Sequence, residues 1–392
     1  MSLFAALVST TGALRAYDKS LNIIQNNVAN ADTPGFVRQR VNFIPQKFDI
    51  QQGLAGGVDF GDLISSRDAY SERNVWRQAH SLGRYSQQTA DLEQIEPMFK
   101  ITADAGIPGA INRFFGGASS WSVNPNDPVA RQVVLDRADA AARAFNENAA
   151  ALGEAKNSVD RQVRTTVEHV NDLASRLRDL NAELRGDARK RLDPSLDAQA
   201  YAALEELAQY VDFNVLKPGD GSFTVLLGGQ TPLVQGDQAH LIRADFTTTQ
   251  TGILNDAGED ITWQLGSGAL KGLIDTKREL LPAYEADLNA LAQSFAENVN
   301  TVLAGGLDQN GSSPTVDLFT FDPLQSAATL RVNPLNPQDL AAADLSAPGG
   351  NANALRLASL ATTNTVGDVS FTEFYGQLGA RIGRDLVRVR NG

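Results

Sequence analysis

Apolar residues recur with a seven-residue spacing near the start of the chain. The positions that keep this repeat are Leu3, Leu7, Leu14, Tyr17, Leu21, Ile24 and Val28. A seven-residue repeat predicts an amphipathic helix with one narrow apolar stripe, as in a coiled coil. Because such a helix gains most of its stability from packing, we expect the stripe to need a partner.

The predicted helix ends in a tight turn. Pro34 fixes φ at the first central position of a β-turn, and Gly35 supplies the positive φ that a type II turn needs at the second. Thr33 is disfavoured in a helix because a proline follows it. Apolar and polar residues then roughly alternate over residues 36–43. The sequence therefore predicts a helix, a turn and an extended arm, in that order.

Long helical patterns continue beyond this region. They cover residues 69–99, 128–186 and 270–302, where apolar side chains recur every three or four residues. Asp127 suits the N-cap of the second, with Pro128 at its first helical position. A last helix is predicted after Ser370, which forms a capping box with Glu373, three residues later. The stretch 111–121, with its Gly-Gly pair, indicates a short apolar segment.

Short β-like runs occur between the second and third long helices. They cover residues 213–216, 223–227, 239–246 and 261–265 and are separated by glycine-rich turns. This pattern predicts a small β domain inserted into a helical one. Gly53, Gly56, Gly57 and Gly61 lack a phosphate-loop or dinucleotide spacing and are interpreted as a flexible linker.

The predicted fold class is mainly α with a β insertion. We expect a long-helix bundle, a terminal coiled-coil segment and a small antiparallel β domain. The predicted segments are residues 1–45 (assembly), 46–205 (first part of the long-helix domain), 206–266 (β domain) and 267–392 (return part of the long-helix domain).

Composition narrows the classes of function. The chain has 392 residues, a net charge of −12 and no Cys. The negative charge argues against nucleic acid as a partner, and the absence of Cys removes disulfides, thiolate metal sites and thiol catalysis. No apolar segment is long enough to span a membrane. No Lys or Arg precedes the first apolar run, so we expect no cleavable secretory signal.

Candidate chemical groups do not form a recognisable site. His80, His169 and His240 lie in separate segments without metal-ligand spacing and are interpreted as surface or helix-face residues. Asp308 and Asn310 lack the remaining ligands of a calcium loop, so an Asn-Gly turn is the better interpretation. The acidic residues are scattered over helix faces, where solvated charge is expected. We therefore predict no catalytic residues, no metal site and no cofactor.

Two groups of residues resemble a known family. Residues 21–36, LNIIQNNVANADTPGF, resemble the N-terminal signature shared by bacterial flagellar rod, hook and hook-associated proteins. The patterns at residues 268–275, 288–300 and 306–311 resemble the hook-associated members at the hook–filament junction, and rod and hook proteins lack them. One departure lies at residues 198–201, where Ala-Gln-Ala-Tyr replaces the usual Asp-Gln-Arg-Asp. That departure weakens any claim of a charge contact at this point.

The resemblance implies a structural role. The chain would be a subunit of the ring that joins hook to filament and would be required for filament assembly. It would self-associate in the flagellar axial structure and contact the hook protein, the next hook-associated protein and an export chaperone. It would leave the cell through the flagellar type III channel and reside outside it. The expected assembly interface is Leu7, Leu14, Leu21, Ile24, Val28, Asn30, Pro34, Gly35 and Phe36.

Two alternatives remain open. One is a rod or hook subunit of the same machine. The other is an extracellular enzyme with an acidic pair, which would require two carboxylates to converge in a concave pocket. The resemblance also implies that the helix after Ser370 continues into a C-terminal segment that pairs with the first helix. Since the sequence ends at Gly392, we expect the chain to lack that segment.

Overall fold

The protein is described by a computed structural model that covers residues 3–49, 51, 54–99, 105–187, 190, 193–247 and 251–392. Its helices are α1 (Leu3–Ala29), α2 (Ala69–Ile95), α3 (Gly106–Val123), α4 (Pro128–Gly186), α5 (Pro194–Tyr210), α6 (Ala269–Asp275), α7 (Leu281–Ala304), α8 (Ser326–Thr329), α9 (Ala352–Ser359) and α10 (Phe371–Arg390). Its strands are β1 (Gln39–Asp49), β2 (Leu54–Ser65), β3 (Phe213–Leu216), β4 (Thr224–Leu227), β5 (Thr231–Gln235), β6 (Gln238–Ala239), β7 (Arg243–Asp245), β8 (Gly252–Leu254), β9 (Gly306–Leu307), β10 (Phe319–Thr320), β11 (Arg331–Val332) and β12 (Ala343–Asp344). The predicted mainly α-helical chain with small antiparallel sheets is confirmed.

The chain forms two compact units, each built from two separate stretches. The first unit contains Met1–Arg84 and Val163–Gly272, and the second contains Tyr85–Gln162 and Leu273–Gly392. The four segments predicted from the sequence are a finer division and stay a prediction.

The helix caps follow the sequence signals. Asp127 accepts a hydrogen bond from the backbone N–H of Val129 at 2.9 Å, and α4 begins at Pro128 as predicted. The side chains of Ser370 and Glu373 cap α10 reciprocally, which confirms the predicted capping box. These bonds satisfy amide groups that have no partner within the helix.

Two asparagines of α4 hold the inserted strands in the first unit. The amide of Asn181 is fully buried and donates to the carbonyls of Phe223 (2.7 Å) and Gly236 (2.8 Å). Its oxygen accepts the N–H of Phe223 at 2.7 Å. Asn171 likewise donates to the carbonyl of Ile242 at 2.8 Å and accepts its N–H at 2.9 Å. We call such a pair of hydrogen bonds between one side-chain amide and one backbone residue a two-bond ring. Because an amide carries both donors and an acceptor, the helix takes the place of a neighbouring strand.

Aromatic rings fill the core of the second unit. Phe295 of α7 lies at the centre, and its ring centroid is between 5.2 and 5.9 Å from those of five others. These rings belong to Phe114, Phe115, Phe145, Phe319 and Phe371. Edge-to-face pairs at such distances add to the stabilisation from burial alone.

Three predictions about local structure were wrong. The stretch interpreted as a linker, with Gly56, Gly57 and Gly61, forms β2, paired antiparallel with β1, while Gly53 lies outside the described residues. The run at 239–246 is broken into two strands, β6 and β7. Residues 261–265 contain a 3-10 helix, Thr262–Gln264, because Asp260 accepts the N–H of Thr262 at 2.8 Å and closes a turn there.

A buried acid in the second unit also departs from the interpretation of the acidic residues as solvated. Asp91 of α2 is 3% exposed, and the side chain of Gln87 donates to its Oδ1 at 2.8 Å. Burial raises the pKa of Asp91 from 3.8 to about 6, against the opposing effect of the Gln87 hydrogen bond. Between pH 3.8 and about pH 6, Asp91 is protonated in the folded chain and ionised in the unfolded chain. The free energy of unfolding therefore increases as the pH falls through this range.

Asp91→Asn is therefore expected to stabilise the protein at pH 8 by about 2–3 kcal/mol and to add little at pH 4. The reason is that Asn keeps the acceptor for Gln87 without a buried charge. Urea unfolding at the two pH values measures the difference. Asp136→Asn is the control, since Asp136 accepts from Gln132 at the same 2.8 Å but is exposed. Equal effects of both variants at pH 8 would contradict the prediction.

Candidate assembly surface

The apolar stripe of α1 faces solvent. Its members are each between 52% and 72% exposed, and they are Leu7, Leu14, Leu21, Ile24 and Val28. Ala16, on another face of the same helix, is fully buried. Gly12, Ala13 and Ile23 are half-buried, so α1 packs through a face of mostly small residues and leaves the five stripe side chains largely uncovered.

The packed face of α1 lies on the β1–β2 hairpin. The hairpin is antiparallel, and it pairs Gln39 with Ser65 at its base and Phe48 with Ala55 near its tip. A Cβ added to Gly57 of β2 would lie 2.9 Å from the Oγ of Ser9. Glycine here permits the helix to approach the strand closely. We call α1 and this hairpin the N-terminal module.

The hairpin extends the exposed apolar area. Its large exposed apolar side chains are Phe43, Ile44, Phe48, Phe60 and Ile64. The rings of Phe43 and Tyr17 of α1 lie 6.1 Å apart between centroids. An open groove of about 640 Å³ runs between α1 and β1, with apolar side chains of both elements and the basic Arg38 and Arg40 in its lining. The groove thus joins Ile24 and Val28 of the stripe to Phe43 of the hairpin, with positive charge in its lining.

Asn27 accounts for part of the asparagine run that precedes the turn. Its amide donates to the carbonyl of Gln39 at 2.8 Å and accepts the N–H of Gln39 at 2.9 Å. This is the same two-bond ring that α4 makes with its strands, and it fixes the start of β1 against the end of α1. Further along, Asn30 accepts from the hydroxyl of Thr33 at 3.2 Å. The amides therefore order the chain between helix and strand.

The predicted tight turn is present. The N–H of Phe36 donates to the carbonyl of Thr33 at 3.1 Å, and Gly35 has a φ of +74°. We call residues 33–36 the motif turn. A Cβ on Gly35 would lie 2.2 Å from the carbonyl oxygen of Ala198 in α5. Glycine is required there twice, for the positive φ and for the close approach to α5.

The residues predicted as one interface form two groups. The five stripe residues are exposed on α1, whereas Asn30, Pro34 and Phe36 line a cavity of about 380 Å³ together with residues of α4 and α5. Gly35 is packed against α5 itself. Within the described residues the stripe is thus uncovered, whereas the motif turn is engaged with its own unit.

A charged cluster that the sequence did not suggest lies beside the motif turn. The guanidinium of Arg67 donates to the carbonyl of Gly35 at 2.5 Å, to Glu72 at 2.5 Å and to Asp197 at 3.2 Å. It also stacks over the ring of Tyr201, 3.5 Å from the centroid. Asp197 directly precedes the family departure at residues 198–201, and Tyr201 is its last residue, so a charge contact does occur next to the departure. The second oxygen of Asp197 accepts from Lys217 at 2.9 Å.

The histidines have separate environments, and the surface interpretation was wrong for one of them. His80 is buried, with its ring 5.1 Å from that of Phe213. Burial lowers its pKa to about 4, although the charge of Asp212 acts in the other direction. His169 stacks on Tyr210, and His240 lies 2.6 Å from Asp256. The described residues contain no group of three side chains suited to hold a metal ion.

A small cavity in the second unit bears on the alternative of an acidic enzyme. It has a volume of about 140 Å³, with Asp91 and Glu154 in its lining. Glu154 is paired with Arg161 at 3.0 Å. Ligand pockets usually have about 300–1,000 Å³, so this space is too small for a typical substrate. Among the described helices, none is long and apolar enough to cross a membrane.

Comparison with known proteins gives a consistent result. Residues 92–319 match the family described as the flagellar hook-associated protein FlgK helical domain. Residues 8–36 match a second family, described as the flagella basal body rod protein. Flagellar hook-associated protein 1 of Bacillus subtilis is 26% identical over 97% of this chain and 85% of its own length. The Salmonella typhimurium protein of the same name is 24% identical over 76% of this chain and 56% of its own length.

The fold of this chain is also similar to that of a solved structure. The flagellar hook junction protein FlgK from Burkholderia pseudomallei superposes with a TM-score of 0.72. The match covers 82% of this chain and 96% of the other, at 16% sequence identity.

Proposed function

The chain belongs to the flagellar hook-associated protein FlgK family, and from this premise we propose that its N-terminal module is the surface through which copies assemble. Family membership makes it a structural protein of the flagellum at the hook–filament junction. The observation that carries the proposal is the exposed apolar stripe of α1, whose Ile24 and Val28 share a groove with the exposed ring of Phe43 on the hairpin. Such a surface is unusual on a monomer and marks an interaction site.

The size of the stripe indicates that assembly needs the hairpin as well. Complete burial of one large apolar side chain contributes about 1.5–3 kcal/mol, and the stripe residues already bury up to half of their surface. Five such residues therefore contribute on the order of 5 kcal/mol, which is comparable to the entropy lost when two proteins associate, about 4–15 kcal/mol. The groove and the hairpin rings supply the additional area that a stable ring requires.

The remaining contacts follow from the position at the junction. The protein would contact the hook protein on one side and the next hook-associated protein on the other, and an export chaperone would cover the apolar stripe before assembly. Export would use the flagellar type III channel without a cleaved signal peptide. The role would be structural without catalysis. A rod or hook subunit is a weaker alternative, because the matched helical domain covers residues 92–319.

Leu21→Asp is expected to abolish incorporation into flagella while it changes monomer stability by less than about 0.5 kcal/mol. Leu21 is 60% exposed, so the charge is tolerated in the monomer but would be buried unpaired in the assembly. Asn22→Asp is the matched control, because it adds the same charge to an exposed residue beside the stripe. The measurements are thermal unfolding of the purified chain and complementation of filament formation in cells lacking the gene.

Normal filaments with Leu21→Asp would contradict the proposal. A loss of assembly with both variants would show that added charge, and not its place on the stripe, is responsible.

A further inference from the structure

The N-terminal module is joined to the rest of the chain by a short connection. The covalent link from the hairpin to α2 is residues 66–68, where the N–H of Ser66 also donates to the carbonyl of Arg38 at 2.9 Å. A connection of three residues without further contacts would permit the module to swing relative to α5. The direction of the assembly surface therefore depends on what holds the module at this point.

Arg67 lies in the middle of that connection and contacts three other segments. It binds the motif turn through Gly35, the first turn of α2 through Glu72, and α5 through Asp197. Its side chain is 8% exposed. A guanidinium has five donors in a fixed planar fork, so it can serve three acceptors and stack on a ring at once, as it does on Tyr201.

We infer that Arg67 is a positioning residue that locks the motif turn onto α5 and so sets the direction in which the N-terminal module leaves the first unit. The inference deepens the proposed function, because it concerns the orientation of the proposed assembly surface. With Arg67 in place, copies present their stripes in one orientation, and a ring can form without an ordering step for each subunit. The two carboxylates and the two cations of the cluster balance in charge, which permits the guanidinium to be buried.

The test uses Arg67→Met, which keeps an apolar side chain on Tyr201 but removes every donor. The two amides that report on the lock are those of Phe36 and Gln39, whose bonds close the motif turn and the Asn27 ring. Their hydrogen exchange is expected to accelerate by about tenfold or more, the factor that corresponds to one lost charge-assisted hydrogen bond. Amides of the β3–β4 pair, in the same unit, are expected to keep their exchange rates.

A distance measurement tests the orientation directly. The chain has no Cys, so Asn22→Cys on α1 and Glu206→Cys on α5 carry a pair of spin labels at exposed positions. The distribution of label distances is expected to be narrow with Arg67 and broad with Arg67→Met. Arg67→Lys is expected to give an intermediate width, because one ammonium keeps the charge but cannot reach three acceptors and stack.

Arg185→Met is the matched control. Arg185 also bridges two carboxylates of the first unit, Asp220 at 3.1 Å and Asp237 at 3.3 Å, but it does not touch the motif turn. It should leave the label distances and both reporter amides unchanged. Asp197→Asn is a milder change that weakens the Arg67 contact, and it provides the same readouts if Arg67→Met does not fold.

Unchanged distances and unchanged exchange at Phe36 and Gln39 would overturn the inference. Equal acceleration of all amides of the unit would also overturn it, since that result describes general destabilisation. Both readouts are made on the monomer, so they are independent of whether Leu21→Asp blocks assembly.

Discussion

Replacement of Arg131 by Met is expected to destabilise the second unit by about 3–5 kcal/mol. Arg131 lies near the start of α4 and is 1% exposed. Its guanidinium donates to the carbonyls of Pro125 (2.7 Å), Leu340 (2.6 Å) and Pro337 (3.2 Å). Met fills the space without donors, so the buried carbonyl of Leu340 loses its 2.6 Å hydrogen bond, at a cost of about 1–3 kcal/mol. The carbonyls of Pro125 and Pro337 each lose one hydrogen bond, worth about 1 kcal/mol, but keep the Nε1–H of Trp121 at 3.2 Å and the N–H of Leu340 at 3.4 Å.

The measurement for Arg131→Met is urea unfolding of the purified chain. Arg137→Met is the control on the same helix, because Arg137 donates to one exposed carbonyl, that of Arg113, at 2.8 Å. We expect the control to cost less than about 1 kcal/mol. A similar small loss for Arg131→Met would show that water or a neighbouring donor replaces the guanidinium.

Gly35→Ala is expected to undock the motif turn and to prevent assembly. Two effects add at this position. The φ of +74° costs an L-residue about 1–3 kcal/mol, and the new Cβ would lie 2.2 Å from the backbone oxygen of Ala198, which cannot move without a shift of α5. The combined cost exceeds the strain alone, so the turn is expected to leave α5.

Gly311→Ala separates the two effects. Gly311 has a φ of +78°, and a Cβ there meets no atom within 4 Å, so this variant measures the strain without the clash. Thermal unfolding should detect a smaller loss for Gly311→Ala than for Gly35→Ala, and filament formation should survive in the former alone. Equal losses of stability would mean that α5 accommodates the methyl group.

The helices could be predicted because their information is local. Asp127 and Pro128 begin α4 through contacts within one turn of the helix. The hairpin could not be predicted, because glycines such as Gly57 are also typical of linkers. The close contact between Gly57 and Ser9 of α1 becomes known only from the structure. His80 was misplaced for a similar reason, since Phe213, which covers its ring, lies far away in the sequence.

Only those parts of the candidate site that depend on neighbouring residues could be predicted from the sequence. The apolar stripe is visible as a repeat in one helix, and the motif turn follows from Pro34 and Gly35 alone. Arg67 carries no sequence signal, because its partner Asp197 is 130 residues away. Asn27 bonds to Gln39, 12 residues later, and this contact forms only when the hairpin packs against α1.

Accessibility of a single thiol at position 21 tests the central claim most directly. The natural chain has no Cys, so Leu21→Cys introduces one reactive group on the apolar stripe, and Asn22→Cys introduces one beside it. The measurement is the rate of maleimide labelling in the purified monomer and in isolated flagella. We expect both thiols to react in the monomer and the thiol at position 21 to be protected in flagella. Equal reactivity of that thiol in both states would contradict the assignment of the stripe as the assembly surface.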